Sequence, residues 1–174
     1  QIATIRFNRP QAMNAMNSEV SEAVIEATRR IEGCRALIVT GNDKAFSAGA
    51  DLKEDRPPES RRPRPIDAIA AIAAVRIPVF AAIEGYCIAG GLEVALACDF
   101  LIGSETSTFS LAEVKRGFIP GGGGTQRLPR RIGAARAKEM LFFGNQIDAS
   151  MAHAWGLINR LVASGLAYSV ARDM

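Results

Sequence analysis

The chain has 174 residues, 48% of them hydrophobic, and a net charge of +3. A chain of this length buries roughly 70% of the surface its unfolded form exposes, so residues 1–174 are expected to share one core. No apolar run approaches the roughly 20 residues of a membrane span, no secretory signal pattern opens the sequence, and Cys34, Cys87 and Cys98 stand apart with His153 as the single histidine. That usage fits neither a zinc site nor a disulfide framework and points to a reduced, cytoplasmic setting without a metal.

In chain order, strands and helices alternate. Ile2 to Phe7 reads as a strand that stops at Asn8-Arg9-Pro10. Asn17 or Ser18 caps a helix whose apolar positions Val20, Ala23, Val24, Ala27 and Ile31 recur at helical spacing, and Gly33 is expected to end it. Ala36 to Val39 is a continuous apolar run, the pattern of a strand covered on both faces, and it completes a parallel βαβ unit. Gly41 to Asp51 reads as a loop. Residues 56–65 hold four arginines and four prolines and read as a mobile surface loop inside the domain. A helix from about Ile66 to Val75 leads to a buried strand, Val79 to Ile83. After a turn at Gly85, Ala89-Gly90-Gly91 opens an apolar helix. Short strands follow at Phe100–Gly103 and Thr108–Leu111, then helices from Gly121–Gly124 onward, near Ala134–Phe143 and near Ala149–Trp155. A strand near Asn159–Val162 is expected to be the final element. The fold class is α/β.

Two small-residue loops carry the chemistry. Ala48-Gly49-Ala50-Asp51 follows the strand at 36–40, and Ala89-Gly90-Gly91 follows the strand at 79–83. Ligands of α/β sheets bind past the carboxyl ends of strands, and a helix start leaves N–H groups unpaired. One N–H from each loop converging on one oxygen would make an oxyanion hole. Glu93, in the first turn of the helix, places a carboxylate beside it, although a first-turn Glu also serves simply to complement the helix dipole. Glu113, flanked by apolar Leu111, Ala112 and Val114, is a second acid; pairing with Lys115 or Arg116 is its other reading. The Gly121–Gly124 run lacks the lysine and spacing of a phosphate-binding loop. His153 lies in a helical stretch, which leaves acid/base work by carboxylates; glycosidase-type chemistry stays open in principle, while the two glycine loops point toward a carbonyl instead.

The segments 7–16 (FNRPQAMNAM), 45–54 (AFSAGADLKE), 77–99 (IPVFAAIEGYCIAGGLEVALACD), 108–133 (TFSLAEVKRGFIPGGGGTQRLPRRIG) and 148–162 (DASMAHAWGLINRLV) resemble the crotonase superfamily, the enoyl-CoA hydratase/isomerase family, in order and spacing. The resemblance implies a spiral of ββα units and assembly as homotrimers or hexamers made of two trimers. It implies oxyanion N–H donors at Ala50 and Gly90 and catalytic carboxylates at Glu93 and Glu113. Gly121 matches a backbone group near the catalytic water. Met13, Ala48, Asp51, Leu52 and Lys53 match positions lining the thioester and coenzyme A groove. Having both acids implies a hydratase acting on a 2-enoyl-CoA, with no cofactor beyond the coenzyme A of the substrate. Another reaction of the superfamily, double-bond isomerisation or carnitinyl-CoA-type dehydration, is the alternative. RNA binding, known among relatives, would need a motif or aromatic platform that a 6% aromatic chain does not display. The family's C-terminal helical tail is not included in this sequence.

Overall fold

The structure, a computed structural model, describes residues 1–55, 57 and 59–174; Arg56 and Pro58 of the Arg- and Pro-rich segment lie outside the described residues. Five strands, β1 (Ile2–Arg6), β2 (Ala36–Thr40), β4 (Val79–Ile83), β6 (Phe100–Ser104) and β9 (Arg160–Val162), form one sheet in that order, parallel throughout. Four short ones, β3 (Ala45–Ser47), β5 (Tyr86–Ile88), β7 (Thr108–Ser110) and β8 (Ile147–Asp148), form a second sheet, parallel except for β7–β8. The helices are α1 (Ser18–Arg29), α2 (Pro65–Ala73), α3 (Gly90–Ala97), α4 (Gly124–Ile132), α5 (Ala134–Phe143), α6 (Ala149–Ala154) and α7 (Ala167–Asp173).

The chain winds as three ββα turns: β2-β3-α2, β4-β5-α3 and β6-β7-α4. Each turn lays one strand in the large sheet and one in the small sheet before its helix closes it. This is the spiral the resemblance implies. The apolar runs explain the layering. Leu37, Val39, Ala81, Ile83 and Leu101 enter the main core, while the alternate residues Ile38, Phe80, Ala82 and Ile102 form a second buried cluster with Ala167 and Ala171 of α7. Burying each large apolar side chain contributes about 1.5–3 kcal/mol.

Four expectations need correction. The Gly41–Asp51 loop contains β3, and Val79–Ile83 does not run straight into the glycine pair, because β5 intervenes. Helix α1 ends at Arg29, four residues before Gly33, which instead serves the following turn with φ +76°. Ile31 thereby drops against the core outside the helix. The last strand is not the final element: α7 follows β9, its first N–H held by Glu84 Oε1 at 3.1 Å, and covers the second face of the large sheet. Strands buried on both faces demand such a cover. Among the described residues no helix is long and apolar enough to cross a membrane.

Candidate active site

Strands β3, β5 and β7 are parallel neighbours, so their carboxyl ends lie side by side. The chain leaving β3 is the Ala48–Asp51 loop, the chain leaving β5 enters α3, and the chain leaving β7 enters a 3-10 helix, Glu113–Arg116. That alignment gathers Ala50, Gly90, Glu93 and Glu113 from positions up to 63 residues apart, counting from 50 to 113.

The two loops touch. A Cβ on Gly49, which has φ +92°, would lie 2.8 Å from the Gly90 nitrogen, and a Cβ on Gly90 would lie 3.5 Å from the Ala50 nitrogen. At position 49 only glycine admits this approach, whereas a Cβ at Gly90 would make ordinary contact. Met16 forms an isolated parallel bridge to Ala50: its N–H donates to Gly49 O at 2.7 Å and its carbonyl accepts from Asp51 N at 2.9 Å. In such a bridge Ala50's own N–H faces the opposite side. Gly90 is the first residue of α3, so its N–H has no acceptor within the helix. Ala89 precedes it at φ 53°, ψ −125°, a backbone that a residue with a Cβ adopts at a cost of order 1–3 kcal/mol. Its N–H to Ser110 O at 2.8 Å and its carbonyl to Glu93 N at 3.1 Å hold it there.

Glu93 is 4% exposed. Gly124 donates its N–H to Glu93 Oε1 at 2.8 Å. A Cβ on Gly122 would lie 2.7 Å from Oε2, so the glycine run wraps the carboxylate. Burial pushes its pKa up, opposed by the N–H groups of Gly124 and Gly122 and by the Arg127 charge. Glu113 is half-buried, and its Oε2 is buried without a hydrogen-bond partner. Burial pushes its pKa up to about 7; its own backbone N–H opposes the rise, and the Glu93 charge adds to it. The two carboxyls are therefore electrically coupled. Gly121 is exposed, with open space where a Cβ would stand; Gly122 and Gly124 are the members of the run that meet Glu93.

Met13, Ala48, Ala50, Asp51, Leu52 and Lys53 line one groove of about 710 Å³, with Arg9 and Arg116 also on its walls. Gly90, Glu93 and Glu113 do not line it; Gly90 adjoins it through Ala50. Asp51 is tied to Arg9 at 2.9 Å and accepts from Lys53 N at 3.1 Å; the Arg9 hydrogen bond, then that of Lys53, holds its pKa low. Arg9 also donates to Ala15 O at 2.7 Å, clamping the 9–16 segment to the loop. Asn14 completes the clamp, its Nδ2 donating to Ala45 O at 2.7 Å. Sequence reasoning missed Arg9, Asn14, Gly122, Gly124 and Arg127. A non-glycine residue in the left-handed region, as Asn14 is at φ 56°, is the signal an Asn beside a turn can give. A second hollow of about 730 Å³, lined by Ile2, Ala36, Pro78 and Met174, sits where β1, β2 and β4 begin, the wrong end of the strands for α/β ligand binding. Among the described residues no cluster of three or more His, Cys, Asp or Glu could hold a metal ion.

Three ββα turns that bring two N–H-bearing loops and two coupled carboxyls together define a crotonase-type α/β spiral. The sequence profile described as "Enoyl-CoA hydratase/isomerase" matches residues 1–172, and the chain belongs to that family. It is 42% identical over 168 residues to "Probable enoyl-CoA hydratase echA8" of Mycobacterium tuberculosis, covering 93% of this chain and 65% of that protein. Against "Enoyl-CoA hydratase domain-containing protein 2, mitochondrial" of Homo sapiens the identity is 38% over 186 residues, covering 99% and 64%. The chain thus spans just under two thirds of the length of these relatives. The crystal structure of enoyl-CoA hydratase from Bacillus anthracis superposes with a TM-score of 0.93 at 36% identity, over 99% of this chain and 70% of that one.

Proposed function

We propose that this chain carries the catalytic core of an enoyl-CoA hydratase, which adds water across the 2,3 double bond of a 2-enoyl-CoA thioester. The observation that carries this reading is the meeting of two coupled carboxyls with the adjoining Ala50 and Gly90 amides. The thioester oxygen accepts from those two N–H groups, which stabilise the enolate-like charge that builds as water attacks C3. Glu93 and Glu113 hold the water. Glu93 accepts a backbone N–H bond, which favours its carboxylate form and suits it to take the water's proton. Glu113, with its pKa pushed up to about 7 and an unpartnered oxygen, keeps a proton near neutral pH and delivers it to C2. The hydroxyl ends on C3 and the Glu113 proton on C2. The proton gained by Glu93 returns to Glu113 when the next water enters.

In the same reading Met13, Ala48, Leu52 and Lys53 line the path of the pantetheine and nucleotide, and Asp51 fixes the loop that carries Ala50. Gly121 contributes its exposed backbone to the water's surroundings. We extend the homotrimer or hexamer of the resemblance to this protein as well. Exposed Phe118, Ile119, Phe142 and Phe143 supply apolar surface for it.

The test is hydration of crotonyl-CoA, followed as loss of the conjugated thioester's ultraviolet absorbance. Wild-type protein is expected to hydrate it, and the Glu93→Gln, Glu113→Gln double variant is expected to lose the activity. A double variant as fast as wild type would end this reading. Product analysis on a small acyl-CoA panel separates hydration from isomerisation and dehydration.

A further inference from the structure

We propose that Arg127 is a positioning residue for Glu93: its guanidinium clamps the middle peptide of the glycine run so that the flanking N–H groups face the carboxylate. The inference rests on the hydratase reading for its kinetic consequence but not for its geometry.

The clamp follows from three contacts. Arg127 Nη1 donates to Gly122 O at 2.7 Å. That carbonyl belongs to the peptide between residues 122 and 123, directly preceding the peptide that carries the Gly124 N–H donated to Glu93 Oε1. Arg127 N donates to Gly123 O at 2.8 Å, so the same residue holds two consecutive carbonyls from one side. The guanidinium crosses Gly123 so closely that a Cβ there would stand 2.1 Å from Nη1. The φ of +99° favours glycine at 123, and the Arg127 guanidinium lies across the space that a side chain there would fill. A helix N-terminus alone would leave these glycines free to swing, because each one removed from the helix has a wide φ/ψ range.

The charges around Glu93 are few. Arg127 reaches it from α4 and Glu113 from the 3-10 helix after β7. From α2 the neighbour at Gly122 is Ile69, and β3 and β5 carry no Asp, Glu, Lys, Arg or His. Burial opposes the carboxylate, while the Gly124 and Gly122 N–H groups and the Arg127 charge favour it. Removing Arg127 thus withdraws a positive charge and releases the glycine run together, and both changes raise the pKa of Glu93.

The experiment titrates glutamate carboxyl carbons by NMR in the folded protein, with the Glu93 signal assigned by its loss in Glu93→Gln. Arg127→Gln is expected to move the Glu93 titration upward by about one pH unit, and Arg127→Lys to restore at least half of that shift. In crotonyl-CoA hydration the acid limb of the pH profile moves up in step, and kcat falls about tenfold with KM within about twofold. Gly123→Ala, which displaces the guanidinium, is expected to give the same direction. An unshifted Glu93 titration in folded Arg127→Gln, or in Gly123→Ala if the first variant does not fold, overturns the clamp. A shifted titration in a protein that hydrates nothing supports the clamp and removes the hydratase reading alone.

Discussion

Gly49 lies so close to Gly90 that a Cβ on the first would stand 2.8 Å from the amide nitrogen of the second. The contact joins the loop after β3 to the start of α3, and it sets the spacing between the Ala50 and Gly90 N–H groups. Gly49→Ala must push these backbones apart and also strains a residue at φ +92°. The expected outcome is a kcat for crotonyl-CoA hydration lower by about 10²–10³, the effect of losing one oxyanion donor, with a stability loss of about 1–3 kcal/mol. Steady-state kinetics beside chemical denaturation checks both numbers. A folded variant with unchanged kcat would separate this contact from the chemistry.

The Arg9–Asp51 pair is a different kind of support. It is partly buried, at 27% and 14% side-chain exposure, and it ties two segments that line the groove. Asp51→Asn keeps the shape but removes the charge that orients Arg9. A stability loss of about 1 kcal/mol is expected, together with a KM for enoyl-CoA raised several-fold and a kcat changed less. The depressed Asp51 pKa gives the sign of the pH effect: this contribution is present above the ordinary value of 3.8 and fades as pH falls below it. A kcat loss larger than the KM rise would place Asp51 in the chemistry instead of the loop.

Much of this fold is legible in the sequence, and the illegible parts share a physical cause. The apolar runs of β2, β4 and β6 and the Gly90-Gly91 helix start announce themselves because they are long or chemically distinctive. Strands β3 and β5 have three residues each, too few for any period, and lie among glycines that read as turns. Their pairing exists only because the spiral returns the chain to the same sheet. So Ala50 and Gly90 are readable as small-residue loops, while the strands that align them are not. Glu93 and Glu113 stand out as acids in apolar surroundings, yet nothing local tells that the charge of one reaches the other. Within Gly121–Gly124 the residue matched by resemblance is exposed, and Gly122 and Gly124 meet Glu93, a distinction set by how α4 docks.

Two coupled carboxyls sharing one site titrate as a pair, and the proposed hydration needs the form with one proton. The kcat/KM profile for crotonyl-CoA is therefore expected to be bell-shaped. Its descending limb is centred near the value of about 7 to which burial pushes Glu113. Below the ascending limb Glu93 is protonated and no base remains; above the descending limb Glu113 has lost the proton that C2 requires. Glu113→Gln is expected to abolish the descending limb in whatever activity remains, and a descending limb that persists in that variant would assign it to another group.

The same raised pKa makes Glu113 a liability for the fold. The folded protein holds its proton from the ordinary value of 4.5 up to about 7, whereas the unfolded chain releases it near 4.5. Stability from this group is therefore full below pH 4.5, declines as pH rises through about 7, and stays low above it. Solvent reaches part of the side chain, so the penalty above neutrality is discounted to about 1 kcal/mol. Glu113→Gln removes the charge without changing the shape. The variant is expected to be more stable than wild type at pH 8 by about 1 kcal/mol, a Tm rise of about 2–4 °C, and equal to it near pH 4.5. Thermal unfolding across that pH range measures the difference. Equal melting temperatures at both ends would show that Glu113 is as well solvated in the folded protein as in the unfolded chain, and would take away its claim to hold a proton at neutral pH.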